Sequence, residues 1–359
     1  MHSSIVTECQ QEAARSYFLF RYPQLHDEID RILSHELIQC FGANLLSPIN
    51  HHNTSRFLID EIEYSILSDF SLADLWHSHR SAKIWITHDI DYLKGFLRPL
   101  VKALRLLKSH DSNSAHFLRH AASNLAKNGH WADNIIEISH KLNQIGVKSI
   151  FFFLDQARVY KHDKAASNLH DFLARGLEYY SLKSPHVQQL MLQISNSTHS
   201  RVGIHCAIHT PHSKTTLTSE LDQFREIGIY PQYSRFHYLR FNRWQSSVEL
   251  HNNSIALDFS FGARPPLIAN VLKTSQRFLL PTPNRSLSRT ASISTIAMDS
   301  SIYSNSAKQG YQSIIDIAKQ TKGEYSIILH NNLFLERKDA WSDFEWFIDR
   351  CHLEGITLC

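Results

Sequence analysis

The chain has 359 residues, of which 43% are apolar and 20% charged, the balance of a soluble globular protein long enough to bury a sizeable core. A formal net charge of +3 is too small to point to nucleic acid or an acidic membrane surface, and no apolar run approaches the roughly 20 residues that span a bilayer. The five cysteines (Cys9, Cys40, Cys206, Cys351 and Cys359) are irregularly spaced, with no CxxC pair, which argues against a disulfide framework or a zinc ribbon.

The opening stretch, MHSSIVTECQQEAARSYF, lacks the basic-then-apolar pattern of a signal peptide, and this predicts a cytoplasmic protein. Residues 1–80 read as mostly helical, with LSPINHHNTS (46–55) as a polar connection, and form a first region of unassigned role. From residue 81 the pattern changes to short strands alternating with amphipathic helices. KIWIT (83–87) alternates as a strand does, and LKGFLRPLVKALRLLK (93–108) reads as a helix with Pro99 as a kink. Ile135, Ile138, Leu142 and Ile145 mark one helical face, followed by the strand VKSIFFFLD (147–155). Ser184 and Pro185 read as the N-cap and first residue of a helix that turns Val187, Leu190, Met191 and Ile194 inward.

The strand RVGIHC (201–206) comes next, then a helix near 216–227 with Leu217, Leu221 and Phe224 inward. Further strands are expected at QYSRFHYLRF (232–241), IALDFSF (255–261), ISTIAMD (293–299) and YSIILHN (325–331). A last helix near 340–353 carries Trp341, Phe344, Phe347, Ile348 and Cys351 on one side, with Gly355 as its terminator. About seven strands with helices between most of them predict a parallel α/β fold, and closure into a barrel would remove the two exposed edges.

In such folds the chemistry lies at the carboxyl ends of the strands. Four polar sets fall there: His88-Asp89-Ile90-Asp91, His205-Cys206-Ala207-Ile208-His209, Arg235-Phe236-His237-Tyr238, and His330-Asn331-Asn332. The chain has 24 histidines, so a lone one says little. His205 and His209, four apart, can share a metal on one turn, or be two surface histidines. Cys206 after the first histidine, a preceding strand and Pro211 argue against a zinc protease, whose first histidine is followed by glutamate on a long helix. Two histidines need an anionic third ligand to make an open hydrolytic site. Asp91 is the natural choice, leaving Asp89 as general base, or both aspartates as a solvated loop. Arg235 can pair with Asp89 or form a surface salt bridge. His330 can act as general acid or simply cap the last strand.

Taken together these residues resemble the NodB-homology polysaccharide deacetylases, carbohydrate esterase family four, in the subgroup whose first motif reads THDVD. THDID matches that motif, HCAIH matches His-[Ser/Thr]-x-x-His, RFHY matches Arg-x-Pro-Tyr, and ILH matches Leu-x-His. The resemblance covers roughly 83–359, consistent with a second region at 81–359. It implies a distorted (β/α) barrel of about seven parallel strands and a metal-dependent N-deacetylase of N-acetylated sugars or glycan precursors.

On the matched positions Asp91, His205 and His209 are the metal ligands, Asp89 is the base, Arg235 orients it and His330 is the acid. Tyr238 lines the site, and a backbone N–H near it meets the oxyanion. The implied cofactor is a divalent metal, zinc first, with cobalt, nickel or manganese as alternatives. The partner is a glycan substrate, with no nucleic acid and no membrane span.

Cys206 stands in place of the usual serine or threonine, and His237 in place of the proline. In place of the fourth motif, which supports the acidic histidine, AMDSSIY offers only Asp299. Leu267-Ile268-Ala269-Asn270 stands where the subgroup has Phe-Arg-Ala-Gly. These departures keep two rival readings open, an inactive glycan-binding homologue and an amidohydrolase of a small non-sugar amide.

Overall fold

The computed structural model describes residues 2–46, 58–72, 80–91, 132–155, 180–207, 216–241, 243–262, 275–281, 287–304 and 306–359, with a few isolated positions between them. The helix expected at 93–108 and the connection at 46–55 lie outside the described residues, apart from Leu46 and Leu93. The fold is mixed α/β with mostly parallel strands, as the strand–helix alternation predicts. It divides into two compact units, one of residues 1–85, 239–327 and 347–358, the other of residues 86–238, 328–346 and 359.

In the second unit three parallel pairings join four strands. These are β1 (Lys83–Ile90, of which residues 86–90 belong here), β2 (Ser149–Phe153), β3 (Ser200–Cys206) and β4 (Tyr233–Phe236). Asp89 is level with Phe152, Phe152 with Gly203, and His205 with Arg235. Parallel strands need crossovers, and the helices supply them. Pro185–Ser195 forms a helix with Pro185 in its first turn, and Val187, Leu190, Met191 and Ile194 are buried as their spacing requires. Leu217–Arg225 starts at a capping box, in which Thr216 Oγ1 accepts from the Ser219 N–H and Ser219 Oγ accepts from the Thr216 N–H. Ala132–Gln144 buries Ile135, Ile138 and Leu142 but stops before Ile145, which is exposed, because Gly146 takes φ 70° and turns the chain.

The first unit holds the N-terminal helices His2–Arg21, Ile29–Leu33, Ile38–Leu46 and Leu58–Asp69. Tyr17, Phe18, Ile32, Phe41, Ile66 and Leu67 form their shared core, with Phe278 and Leu287 packed against it. Beneath it lies a buried polar group. Arg80 Nη2 donates to Glu63 Oε2 at 3.0 Å, and Tyr22 Oη donates to Glu63 Oε1 at 2.9 Å. Arg80 Nη1 donates to Ser275 Oγ at 2.9 Å, whose backbone N–H donates to Asp60 at 2.9 Å.

This unit also contains β5 (Leu257–Asp258), β6 (Phe278–Pro281), β7 (Leu287–Ser292), β8 (Ser294–Met298), most of β9 (Glu324–Ile328) and β10 (Thr357–Leu358). The described strands number ten, against about seven expected. The surplus is physically intelligible. Strand β10 is two residues long, β6 ends in a proline, and β7 (LSRTAS) has little apolar patterning. The pairing of β6 with β7 is antiparallel, a departure from the all-parallel expectation. The last helix, Ala340–Leu353, ends as expected at Gly355, with φ 68° and a closing hydrogen bond from Ile356 N–H to Cys351 O at 2.8 Å.

Candidate active site

Residues from all four polar sets meet at the carboxyl ends of the strands of the second unit. Strand β1 runs through Ile90, three residues further than its alternating run suggested, so His88 and Asp89 lie within the strand. His88 is fully buried, stacked on Phe151 at 4.7 Å, with Nδ1 donating to Leu329 O at 3.2 Å. Burial lowers its pKa to about 4, so it is neutral at pH 7.

Asp89 and Asp91 share a strand face by the two-residue period and receive different partners. Arg235 Nη1 donates to Asp89 Oδ1 at 2.7 Å and to Thr87 Oγ1 at 2.8 Å. The arginine is wholly buried, and its guanidinium lies 4.7 Å over the Phe152 ring. Gly203 makes that packing possible. A Cβ there would stand 2.5 Å from the Phe152 ring.

Asp91 faces the histidines. His205 Nε2 is 3.3 Å from Asp91 Oδ1 and 3.7 Å from Asp89 Oδ2, and His330 Nε2 is 3.7 Å from Asp91 Oδ2. Burial favours the neutral Asp91 acid, but the neighbouring His205, His237 and His330 rings outweigh it and hold the carboxyl well below the usual range. For His205, burial acts downward, while the nearby Asp89 and Asp91 carboxylates raise its pKa overall.

The His205 ring is oriented by its other nitrogen, since Nδ1 lies 2.9 Å from Arg235 O and donates there in the matching tautomer. That leaves the Nε2 lone pair directed at the carboxylates, the arrangement typical of metal-binding histidines. Asp91 Oδ1 is buried without a hydrogen-bond partner among the described residues. An anionic oxygen in that condition and a pre-oriented imidazole nitrogen fit a divalent cation such as zinc.

The residues brought together are thus Asp89, Asp91, His205, Arg235 and His330, each named from the sequence. His209, the expected third ligand, lies outside the described residues. Tyr238 is exposed and follows β4 with φ 59°, a left-handed conformation uncommon for a residue with a side chain. Asp299 belongs to the other unit, where it starts a short helix and its Oδ1 accepts the Ser300 N–H at 2.7 Å.

Four further residues shape the site. His237 approaches the same carboxylate, with Nε2 3.9 Å from Asp91 Oδ1. Asp91, His205 and His237 each present a ligating atom within 4.8 Å of the others. Tyr180 is buried. Its hydroxyl donates to Ile90 O at 2.5 Å and accepts from the Leu154 N–H at 2.9 Å, tying together the ends of β1 and β2. Glu220 accepts the Ala207 N–H at 2.9 Å and anchors the chain just past His205. Asn134 donates to Asn331 O at 2.7 Å, beside His330.

No family model matches the sequence, and no curated protein matches it. Among solved structures, the chain is similar to a candidate polysaccharide deacetylase from Mycobacterium smegmatis, at 11% identity and a TM-score of 0.47, covering 78% of this chain and 87% of that one. It is also similar to a candidate polysaccharide deacetylase involved in O-antigen biosynthesis from Bordetella bronchiseptica, at 12% identity and a TM-score of 0.36, covering 71% and 73%. No helix among the described residues is long and apolar enough to cross a membrane.

Proposed function

We propose that this chain is a metal-dependent deacetylase of the NodB-homology type that hydrolyses the N-acetyl amide of an N-acetylated sugar or glycan precursor. The observation that carries the reading is the convergence of two aspartates with separate partners, the buried Asp89 on Arg235 and the half-buried Asp91 on His205. Asp91 and His205 would hold the cation, with His209 as the further ligand that the motif names. When bound, a cation such as zinc supplies Lewis acidity at the amide carbonyl.

The chain's own residues divide the remaining work. Arg235 fixes Asp89 Oδ1, leaving Oδ2 to take a proton from the attacking water. The water oxygen bonds to the acetyl carbon, the C–N bond breaks, and His330 delivers a proton to the departing sugar nitrogen. A backbone N–H near Tyr238 meets the oxyanion. Products are acetate and the free amino sugar.

The test is acetate release from N-acetylglucosamine oligomers and from nucleotide-linked N-acetyl sugars, with and without a chelator. Chelator-sensitive release supports the reading. Metal binding with no turnover of any glycan would favour the glycan-binding alternative, and release untouched by metal removal would sink the mechanism.

A further inference from the structure

His237 stands where the resembling motif has a proline, so nothing in that motif gives it a task. Its position does. Arg235 lies in β4 and His237 opens the short helical turn that follows it, and both side chains point toward the two aspartates. His237 is 3% exposed, and its ring meets the His205 ring edge-on at 5.1 Å between centroids. Its Nε2 is 3.9 Å from Asp91 Oδ1, which is beyond hydrogen-bond reach. Its Nδ1 is buried with no hydrogen-bond partner among the described residues.

A buried imidazole in this state is an expensive element for a core, because unmet polar atoms cost more than apolar replacements of the same shape. The backbone beyond it is held unusually as well. Tyr238 and Leu239 both take positive φ, 59° and 51°, and consecutive left-handed residues with side chains persist only where the surroundings impose them.

We propose that His237 binds the metal directly, together with Asp91 and His205, so that the β4 strand end supplies a ligand where the resembling motif has only a proline. The inference rests on the metal-dependent reading above and deepens it. One carboxylate oxygen and two imidazole nitrogens, within 4.8 Å of one another, form a three-ligand set of the kind that leaves a coordination position open for chemistry. The ion would also account for the unpartnered Asp91 Oδ1. Arg235 at the end of β4 and His237 just past it would then serve the two aspartates, one orienting the base and the other completing the metal site.

The test is titration of the metal-free protein with Co²⁺, followed by the visible d–d absorption of the bound ion, in wild type, His237→Gln, His237→Cys and His205→Ala. Wild type is expected to bind. His237→Gln is expected to weaken binding by about tenfold or more and to change the d–d spectrum, as loss of a ligand does. His237→Cys is expected to bind with a new near-ultraviolet thiolate-to-cobalt charge-transfer band, a signature that a merely structural residue cannot produce. If wild type binds and His205→Ala does not, while His237→Gln keeps wild-type affinity and spectrum and His237→Cys shows no such band, this inference is overturned and the deacetylase reading stands. If wild type binds no metal, both fall.

Discussion

Arg235 and Asp89 form an ion pair at 2.7 Å in which the guanidinium is wholly buried and the carboxylate side chain 6% exposed. A pair so placed is a poor source of net stability, yet it is costly to break from one side. Asp89 gains from it a fixed orientation and a compensating charge, as a positioned general base requires. Arg235→Met is therefore expected to destabilise the fold by about 3–5 kcal/mol, because Asp89 is left buried and unpaired. Deacetylation should be lost at temperatures where the variant is still folded. Chemical denaturation followed by circular dichroism, with acetate release measured alongside, checks both.

Gly203 carries a second expectation. Its missing Cβ admits the Phe152 ring, which lies under the Arg235 guanidinium. Gly203→Ala should displace the ring and cost about 1–3 kcal/mol, as overpacking of a filled interior does. Because Arg235 rests on that ring, kcat should fall by more than KM changes. Steady-state kinetics at a temperature well below the melting point separates the two.

Much of the site was legible in the sequence because each of its residues ends a strand, and strand ends follow from apolar runs and their interruption. THDID, RFHY, ILH and the first residues of HCAIH lie within or at the ends of strands whose cores are simple to read. His237 had a weaker signal, since it lies in the turn just past Arg235 where the resembling motif has a proline. Glu220 also had a signal, lying on the inward face of a helix beside Leu217, Leu221 and Phe224. Tyr180 had none, because its role comes from two carbonyl and amide groups at distant points of the chain. β1 runs past its alternating apolar stretch because His88 and Asp89, polar in sequence, find buried partners in Leu329 O and Arg235. Nor could local pattern show that the N-terminal helices pack with Phe278 and Leu287, since that core is assembled from segments far apart in sequence.

Tyr180→Phe removes one hydroxyl and leaves the Ile90 carbonyl and the Leu154 N–H unpaired. Two buried backbone groups without partners should cost about 1–3 kcal/mol. Asp91 directly follows Ile90, so Co²⁺ affinity is expected to fall with stability. A phenylalanine variant with unaltered melting temperature and unaltered metal affinity would contradict this positioning role.

His88 sets a pH dependence. Its folded pKa is about 4, below the ordinary 6.5, owing to burial. Between those values the unfolded chain binds the proton and the folded chain does not, so stability rises with pH through this window and is lost as pH falls from 6.5 toward 4. The full effect is about 3 kcal/mol. His88→Asn, which can still donate to Leu329 O, should flatten the stability profile in that window, as measured by urea denaturation at a series of pH values. An unchanged slope would remove His88 as the cause.

The central claim is that Asp89 moves the proton while its neighbour two residues on holds the metal. Asp89→Asn in metal-loaded protein tests it most directly, with bound metal and acetate release measured on the same sample. The expected result is metal content equal to wild type and acetate release reduced by about 10²–10⁴-fold, the usual contribution of a positioned general base. Acetate release at the wild-type rate from a variant with wild-type metal content would contradict the account.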